Sequence, residues 1–180
     1  EDDSSPHWQE AAVTIAGIAR EQVRQYFVSL TRAPDAESRR RAALTLGRLR
    51  QEWAIPALGA AITDSEASVR MQATWALGQI PSLQTMRVLP RALRSPYPDT
   101  RPVAAQSLAT LGQVAELNKV VVRELISTFA DEGDDVPRLA EQALTQIGRE
   151  AVPQLITALN DARRLSQRSR IARTLGRLGA

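Results

Sequence analysis

The segment VRMQATWALGQI, residues 69–80, carries its apolar residues at the spacing of an amphipathic helix. On a wheel of 100° per residue, one stripe of about 100° holds its apolar face. That stripe contains Val69, Ala73, Ala76, Leu77 and Ile80. Trp75 falls roughly opposite the stripe, between two glutamines. The segment therefore predicts a helix that buries one face and turns its largest side chain the other way.

The same pattern recurs along the chain, which indicates a fold built from repeats. Five leucines stand in matching contexts: Leu46, Leu77, Leu108, Leu144 and Leu175. Their separations are 31, 31, 36 and 31 residues, and the longer one indicates a five-residue insertion near VAELNKVVV. A second amphipathic segment precedes each leucine. The repeating unit is therefore a helix-turn-helix pair of about 31 residues.

A single pair of this kind cannot bury its apolar stripes, whereas stacked pairs bury them continuously. The sequence therefore predicts an all-α fold, an α-solenoid of about five pairs. The predicted repeats are residues 21–51, 52–81, 82–113, 114–149 and 150–180. Residues 1–20 are predicted to hold an acidic tail and a capping helix.

The repeats resemble HEAT repeats, an armadillo-like family, and in particular the short variety of bacterial proteins and phycobilin lyase subunits. EAVPQLITALND resembles the first helix of that variety, and DSEASVRMQATWALGQI resembles the second. The resemblance implies that Asp64 and Arg70 join neighbouring repeats by hydrogen bonds. The Arg70 position holds Pro137 in the fourth repeat, and the Asp64 position recurs as an acid only at Asp131. An Asp–Arg ladder is therefore expected to be complete only in the second repeat.

Composition excludes several kinds of site. The chain has no cysteine and a single histidine, His7, so thiolate and histidine metal sites and a Ser-His-Asp triad are not expected. There is no glycine-rich phosphate loop. The acidic run DEGDD lacks the spacing of a calcium loop and is interpreted as a turn before a helix. No catalytic residue, metal or cofactor is predicted.

The chain contains no signal peptide and no apolar run of about 20 residues, so no membrane insertion and a cytoplasmic location are expected. It starts at Glu1 without a methionine and is expected to be one domain of a longer chain. Lys119 is the only lysine among 23 basic residues. Arginine suits recognition of carboxylate and phosphate.

In stacks of this type the second helices line a concave surface. The Trp75 position, followed through the repeats, predicts a strip with basic ends and an amide-rich middle. The candidate partner-binding residues are Arg41, Leu44, Arg48, Gln72, Trp75, Gln79, Gln106, Gln142, Arg170, Arg173 and Arg177. The other interpretation is that Trp75 folds onto a neighbouring helix and that the arginines form a solvated face.

The strip predicts a non-catalytic scaffold that binds another protein, one with acidic groups and an apolar anchor. Two alternatives stay open. The arginine-rich ends permit nucleic-acid binding. The resemblance to phycobilin lyases permits a lyase-like or antenna-assembly subunit, although a fold alone is weak evidence for function.

Overall fold

Residues 20–180 are described by a computed structural model, and every regular element within them is helical. The first helices of the pairs are α1 (20–30), α3 (Ile55–Ala61), α5 (Thr85–Leu93), α7 (Ala115–Ser127) and α9 (Val152–Asp161). The second helices are α2 (Ala36–Leu49), α4 (Ala67–Gly78), α6 (Thr100–Gly112), α8 (Asp135–Ile147) and α10 (Leu165–Leu178). Short 3₁₀ turns cover Glu52–Ala54, Thr128–Ala130 and Gly148–Ala151. The acidic tail and capping helix were predicted for residues 1–20, and all of these except residue 20 lie outside the described residues.

The helices form two layers. Each second helix packs on the next one, from α2 through to α10, and the first helices α3, α5, α7 and α9 do the same beside them. Four of the five repeat leucines are fully buried, and the fifth, Leu175, is 8% exposed. The predicted all-α solenoid is therefore confirmed, with its core between the layers.

The five-residue insertion lengthens one helix rather than opening the stack. Helix α7 begins at Ala115, ten positions before its buried Leu125, whereas α5 begins at Thr85, four before Leu89. The extra residues add helical turns at the start of α7. The amide of Asn118 donates to the carbonyl oxygen of Gly112 at 2.7 Å, which fixes the entry to the longer helix.

Glycine lets the second helices approach closely. A Cβ on Gly47 would stand 2.8 Å from Ala76, and one on Gly78 would stand 2.4 Å from the Cβ of Ser107. Both glycines directly follow a repeat leucine. Any side chain there would overlap the next second helix, so these positions set the spacing between the first three repeats.

The Arg–Asp ladder is more complete than the sequence predicted. Arg39 donates to both carboxylate oxygens of Asp64 in the next repeat, at 2.7 and 2.9 Å. Arg70 pairs with Asp99, and the Arg101 Nη1 atom lies 2.9 Å from an Asp135 oxygen. The expectation that the ladder is complete only in the second repeat was wrong, because each arginine pairs forward with the following repeat and two of the acids lie beyond the Asp64 position.

Candidate protein-binding surface

The predicted strip lies along one side of the second helices, and its N-terminal end is partly neutralised. Arg41 is exposed, and its Nε atom lies 2.7 Å from a carboxylate oxygen of Glu37. Hydrogen bonds from Arg40 and then Arg41 lower the pKa of Glu37 to about 2, so this acid stays ionised. Leu44 is half-buried and Arg48 is exposed. Within the described residues Arg48 forms no ion pair, so it is the cation at this end that no acid neutralises.

Trp75 does not stand free at the middle of the strip. Its side chain is half-buried and packs against the hydrophobic core. The Cζ3 atom of the ring lies 3.0 Å from the place that a Cβ on Gly47 would occupy. The expectation that Trp75 turns away from the core was therefore wrong, because the missing side chain of Gly47 leaves room for the ring to lie across α2.

The glutamines of the strip divide into two groups. Gln72 and Gln79 are half-buried beside Trp75, whereas Gln106 and Gln142 are exposed. The carbonyl oxygen of Gln79 accepts a hydrogen bond from the Arg50 Nε atom at 2.8 Å. The exposed amides therefore lie in the third and fourth repeats, on the side of the strip that leads to its C-terminal end.

At that end, α8 and α10 enclose a cleft of about 450 Å³. We call it the C-terminal cleft, and its walls are arginine, serine and two acids. It is lined by Asp134, Pro137, Arg138, Glu141, Ser166, Ser169, Arg170, Arg173 and Arg177. The structure therefore brings together the three arginines that the sequence predicted at this end.

The guanidinium of Arg170 already makes its hydrogen bonds within the protein. Its guanidinium donates to the carbonyl oxygens of Phe129 and Gly133, both at 2.8 Å, and to a carboxylate oxygen of Asp134 at 2.8 Å. These acceptors lie in the turn before α8. Arg39 and Arg70 each bind the turn of their own repeat in the same manner. Because the fourth repeat has Pro137 instead, Arg170 supplies these hydrogen bonds from the next helix.

Arg173 and Arg177 share one buried acid. Their side chains are 59% and 52% exposed, and their guanidinium nitrogens lie 3.9 and 3.3 Å from the two carboxylate oxygens of Glu141. The Glu141 side chain is only 5% exposed, and its Oε1 atom accepts no hydrogen bond from the described residues. The cleft thus holds two accessible cations over a single carboxylate, with the serine hydroxyls of α10 beside them.

The strip pattern missed Glu141 because a helical wheel of α8 places it about 130° away from the centre of the strip. Its position, three residues before the repeat leucine, holds a small residue in the other repeats: Ala43, Thr74, Ala105 and Ala172. An acid at a position that is otherwise small was the signal in the sequence. The glutamate side chain is larger than the residues at the equivalent positions, and it lines the cleft between α8 and α10.

A model of HEAT repeats matches residues 1–78 and 55–145, well over half of the sequence. The chain belongs to the HEAT-repeat family. No curated protein sequence matches it.

Solved structures share this HEAT-repeat architecture at low sequence identity. Human deoxyhypusine hydroxylase in complex with glycerol is 20% identical with a TM-score of 0.62, over 93% of this chain and 66% of that one. The complex of CpcE and CpcF of phycocyanin lyase from Nostoc is 21% identical with a TM-score of 0.48, over 87% and 77%. A designed armadillo repeat protein in complex with the peptide (KR)4 is 15% identical with a TM-score of 0.48, over 97% and 95%.

The family match and the likeness to the human protein support the fold of the HEAT-repeat chain, whereas its chemistry has to be inferred from its own residues. The fold is compatible with catalysis, since the human protein is an enzyme by name. Within residues 20–180, no group of histidine, cysteine and acidic side chains is arranged to hold a metal ion. None of the helices in this part of the chain combines the length and apolar character needed to cross a membrane.

Proposed function

We propose that this HEAT-repeat chain is a protein-binding scaffold, and that an acidic segment of its partner lies along the strip with one carboxylate in the C-terminal cleft. The observation that carries the proposal is the pair of accessible guanidiniums, Arg173 and Arg177, that share the single carboxylate of Glu141. Two cations over one anion leave a net positive site between two helices.

The geometry of this pair favours a carboxylate ligand. A planar guanidinium binds a carboxylate through two parallel hydrogen bonds, and the side chains of Arg173 and Arg177 are both more than half exposed. A partner carboxylate thus completes a site that the protein leaves half neutralised.

The strip continues from the cleft through exposed amides. Gln142 on α8 and Gln106 on α6 are exposed, and each amide both donates and accepts hydrogen bonds. A peptide backbone presents the complementary groups at regular spacing. The half-buried Trp75 lies further along, and its exposed part provides the apolar contact for the partner's anchor.

Fluorescence anisotropy with a labelled oligo-glutamate peptide tests the proposal. We expect the double variant Arg173→Gln/Arg177→Gln to bind about tenfold more weakly, which corresponds to about 1.4 kcal/mol. The control is Arg87→Gln/Arg91→Gln, because both of these arginines are exposed on the first helix α5. Equal loss in both double variants, or no loss in either, would refute the cleft as the anchoring site.

A labelled single-stranded oligonucleotide of the same length tests the alternative. Nucleic-acid binding through phosphates weakens steeply as salt rises, with a slope set by the number of phosphates contacted. We expect the peptide to bind more tightly than the oligonucleotide at physiological salt. The opposite order, with a steep salt slope, supports nucleic-acid binding instead.

A further inference from the structure

We propose that Ser166 is a phosphorylation site, and that a phosphate on its hydroxyl blocks the C-terminal cleft against the partner's carboxylate. This regulation rests on the proposed function of the cleft. The phosphoryl group comes from a nucleoside triphosphate bound to a protein kinase. The Ser166 oxygen bonds to the γ-phosphorus, the bond to the leaving nucleoside diphosphate breaks, and the catalytic base of the kinase takes the hydroxyl proton.

Ser166 occupies a position that carries an acid in three of the other four repeats. It stands nine residues before its repeat leucine, as do Glu37, Asp99 and Asp135. Each of these acids pairs with an arginine. The fold therefore accepts a negative charge at this position beside an arginine, and a phosphate on Ser166 supplies the charge that the last repeat lacks.

The first repeat shows how a neighbouring arginine holds that charge. Glu37 accepts a hydrogen bond from the Nε atom of Arg41, four residues later on α2, at 2.7 Å. Arg170 stands four residues after Ser166 on α10. Its four hydrogen bonds to the turn before α8 are all donated by its Nη atoms, so they leave its Nε–H group for another acceptor. A phosphate on Ser166 can therefore bind Arg170 without releasing that turn.

The rest of the cleft adds positive charge around Ser166. The serine is exposed and lines the cleft together with four arginines and two acids, so this lining has a net charge of two positive. A phosphoserine carries a charge of about −1.5 to −2 at neutral pH. The phosphate thus cancels the charge that attracts a carboxylate, and it takes the hydrogen-bond donors that the carboxylate needs.

The residues before Ser166 favour a kinase that selects arginine. Arg163 and Arg164 lie three and two residues before the serine, and both are exposed. Charge patterns of this kind determine which substrates a kinase accepts. Ser68 takes the equivalent position in the second repeat and is also exposed, but it follows the segment DSE at residues 64–66. Of these two serines, Ser166 is therefore the one that such a kinase modifies.

Incubation of the full chain with MgATP and an arginine-directed serine kinase tests the site. We expect mass spectrometry of proteolytic fragments to find phosphate on Ser166 and none on Ser68. Ser166→Ala should abolish the incorporation. Phosphate on Ser68 in place of Ser166, or on neither serine, overturns the proposal.

The oligo-glutamate assay measures the effect of the phosphate on the cleft. We expect phosphorylation of Ser166 to weaken peptide binding at least about tenfold, and Ser166→Glu at least about threefold, because like charges then meet in the cleft. Ser166→Gln has a similar size without the charge and should bind as the unmodified chain does. Undiminished binding by the phosphorylated chain, or equal weakening by Ser166→Gln and Ser166→Glu, overturns the regulation.

Ser68→Glu is the matched control for the added charge. Ser68 has Gln72 four residues later, where α10 has Arg170, and it does not line the cleft. We expect this variant to change peptide binding by less than about twofold, because solvent screens a charge that is distant from the cleft. Weakening equal to that of Ser166→Glu would show a general effect of net charge and overturn the assignment to the cleft.

Phosphorus NMR tests the phosphate site without any peptide. Arginines that pair with a phosphate favour its dianion, so they lower its second pKa. We expect this pKa to be lower in the folded phosphorylated chain than in the same chain unfolded in urea. Equal values overturn the proposal. A lowered pKa in a chain whose unmodified form binds no peptide refutes the function proposed for the cleft and leaves the phosphate site in place.

Discussion

The junction between α4 and α6 is closed, whereas the junction between α8 and α10 is open. At the first, Gly78 allows contact with Ser107, and Arg70 reaches Asp99 with a side chain that is only 8% exposed. At the second, the buried Glu141 takes a position that is otherwise small, and a cleft of about 450 Å³ separates the helices. The two junctions are formed by equivalent positions of different repeats, so a few substitutions distinguish a packing contact from the cleft that is proposed to bind a partner.

The closed and open junctions also differ in whether their arginines remain accessible. In the closed junctions the arginines bind aspartates and carbonyl oxygens of the turns, so they contribute to the stability of the fold. In the open junction Arg173 and Arg177 remain more than half exposed. An arginine count along the sequence therefore overstates the accessible positive charge, because the ladder arginines and Arg170 are bound within the protein.

The largest expected effect comes from filling the closed junction. We expect Gly78→Val to lower the free energy of unfolding by about 3 kcal/mol, because its Cβ would stand 2.4 Å from the Cβ of Ser107. Gly176→Val is the matched control, because no described atom lies within 4 Å of the Cβ position at Gly176, and it should be neutral or slightly stabilising. Urea unfolding measures both. Equal effects at the two glycines would contradict the contrast between a filled and an open recess.

The next effect comes from the ladder. Arg70 is 6% exposed, donates to the Asp64 carbonyl oxygen at 2.8 Å, and lies 4.0 Å from the centroid of the Tyr97 ring. We expect Arg70→Ala to cost about 2–3 kcal/mol of unfolding free energy, since it leaves several acceptors without a donor.

Arg101→Ala provides the comparison, because Arg101 and its partner Asp135 are 24% and 47% exposed. We expect it to cost about 1 kcal/mol or less. The ladder should thus weaken from the second repeat to the third. A larger cost at Arg101 than at Arg70, in the same urea titration, would refute this order.

A smaller effect depends on pH. The hydrogen bonds from Arg39 lower the pKa of Asp64 in the folded state, against about 3.9 in the unfolded chain. The ionised form therefore stabilises the fold above that unfolded value, and the contribution is lost as pH falls through the folded pKa. We expect Asp64→Asn to be less stable at pH 6 and to lose less stability than the unsubstituted chain between pH 5 and pH 2.

The smallest effect on stability is expected at Glu141. Replacing a buried carboxylate that lacks a full set of hydrogen bonds with an apolar residue of similar size is often neutral. We expect Glu141→Leu to change the unfolding free energy by less than about 1 kcal/mol and to strengthen oligo-glutamate binding, because the cleft loses a negative charge. Weaker peptide binding with an unchanged fold would show that Glu141 positions the arginines.

The fold was predictable because the repeat leucines mark the buried positions of the helices. Leu46, Leu77 and Leu108 recur at one interval, and each is fully buried. The ladder was predicted only in part, since acids were sought only at positions equivalent to Asp64, whereas Arg70 and Arg101 reach forward to Asp99 and Asp135. A one-dimensional alignment does not show which neighbour a long side chain reaches.

The strip was predicted less well than the fold. A helical wheel treats each helix alone, so it placed Trp75 opposite the core and took no account of the space above Gly47 on the neighbouring helix. It also counted Arg170 as a free cation, although carbonyl oxygens of the preceding turn bind it. Contacts between repeats decide which residues remain accessible, and those contacts require the three-dimensional stack.

Arg170 links the fourth and fifth repeats, because it lies on the last helix and binds the turn of the repeat before it. The turn at Phe129–Asp134 takes its hydrogen bonds from a residue about 40 positions later in the chain, because Pro137 stands where earlier repeats keep their own arginine. The turn of the second repeat takes such hydrogen bonds from Arg70 of the same repeat, so moving that repeat keeps the turn and its donor together. The turn of the fourth repeat depends on α10 instead. Recombination that separates the fourth repeat from α10 removes the hydrogen-bond donor of this turn. Natural or engineered rearrangement of the repeats should therefore keep the fourth and fifth repeats together.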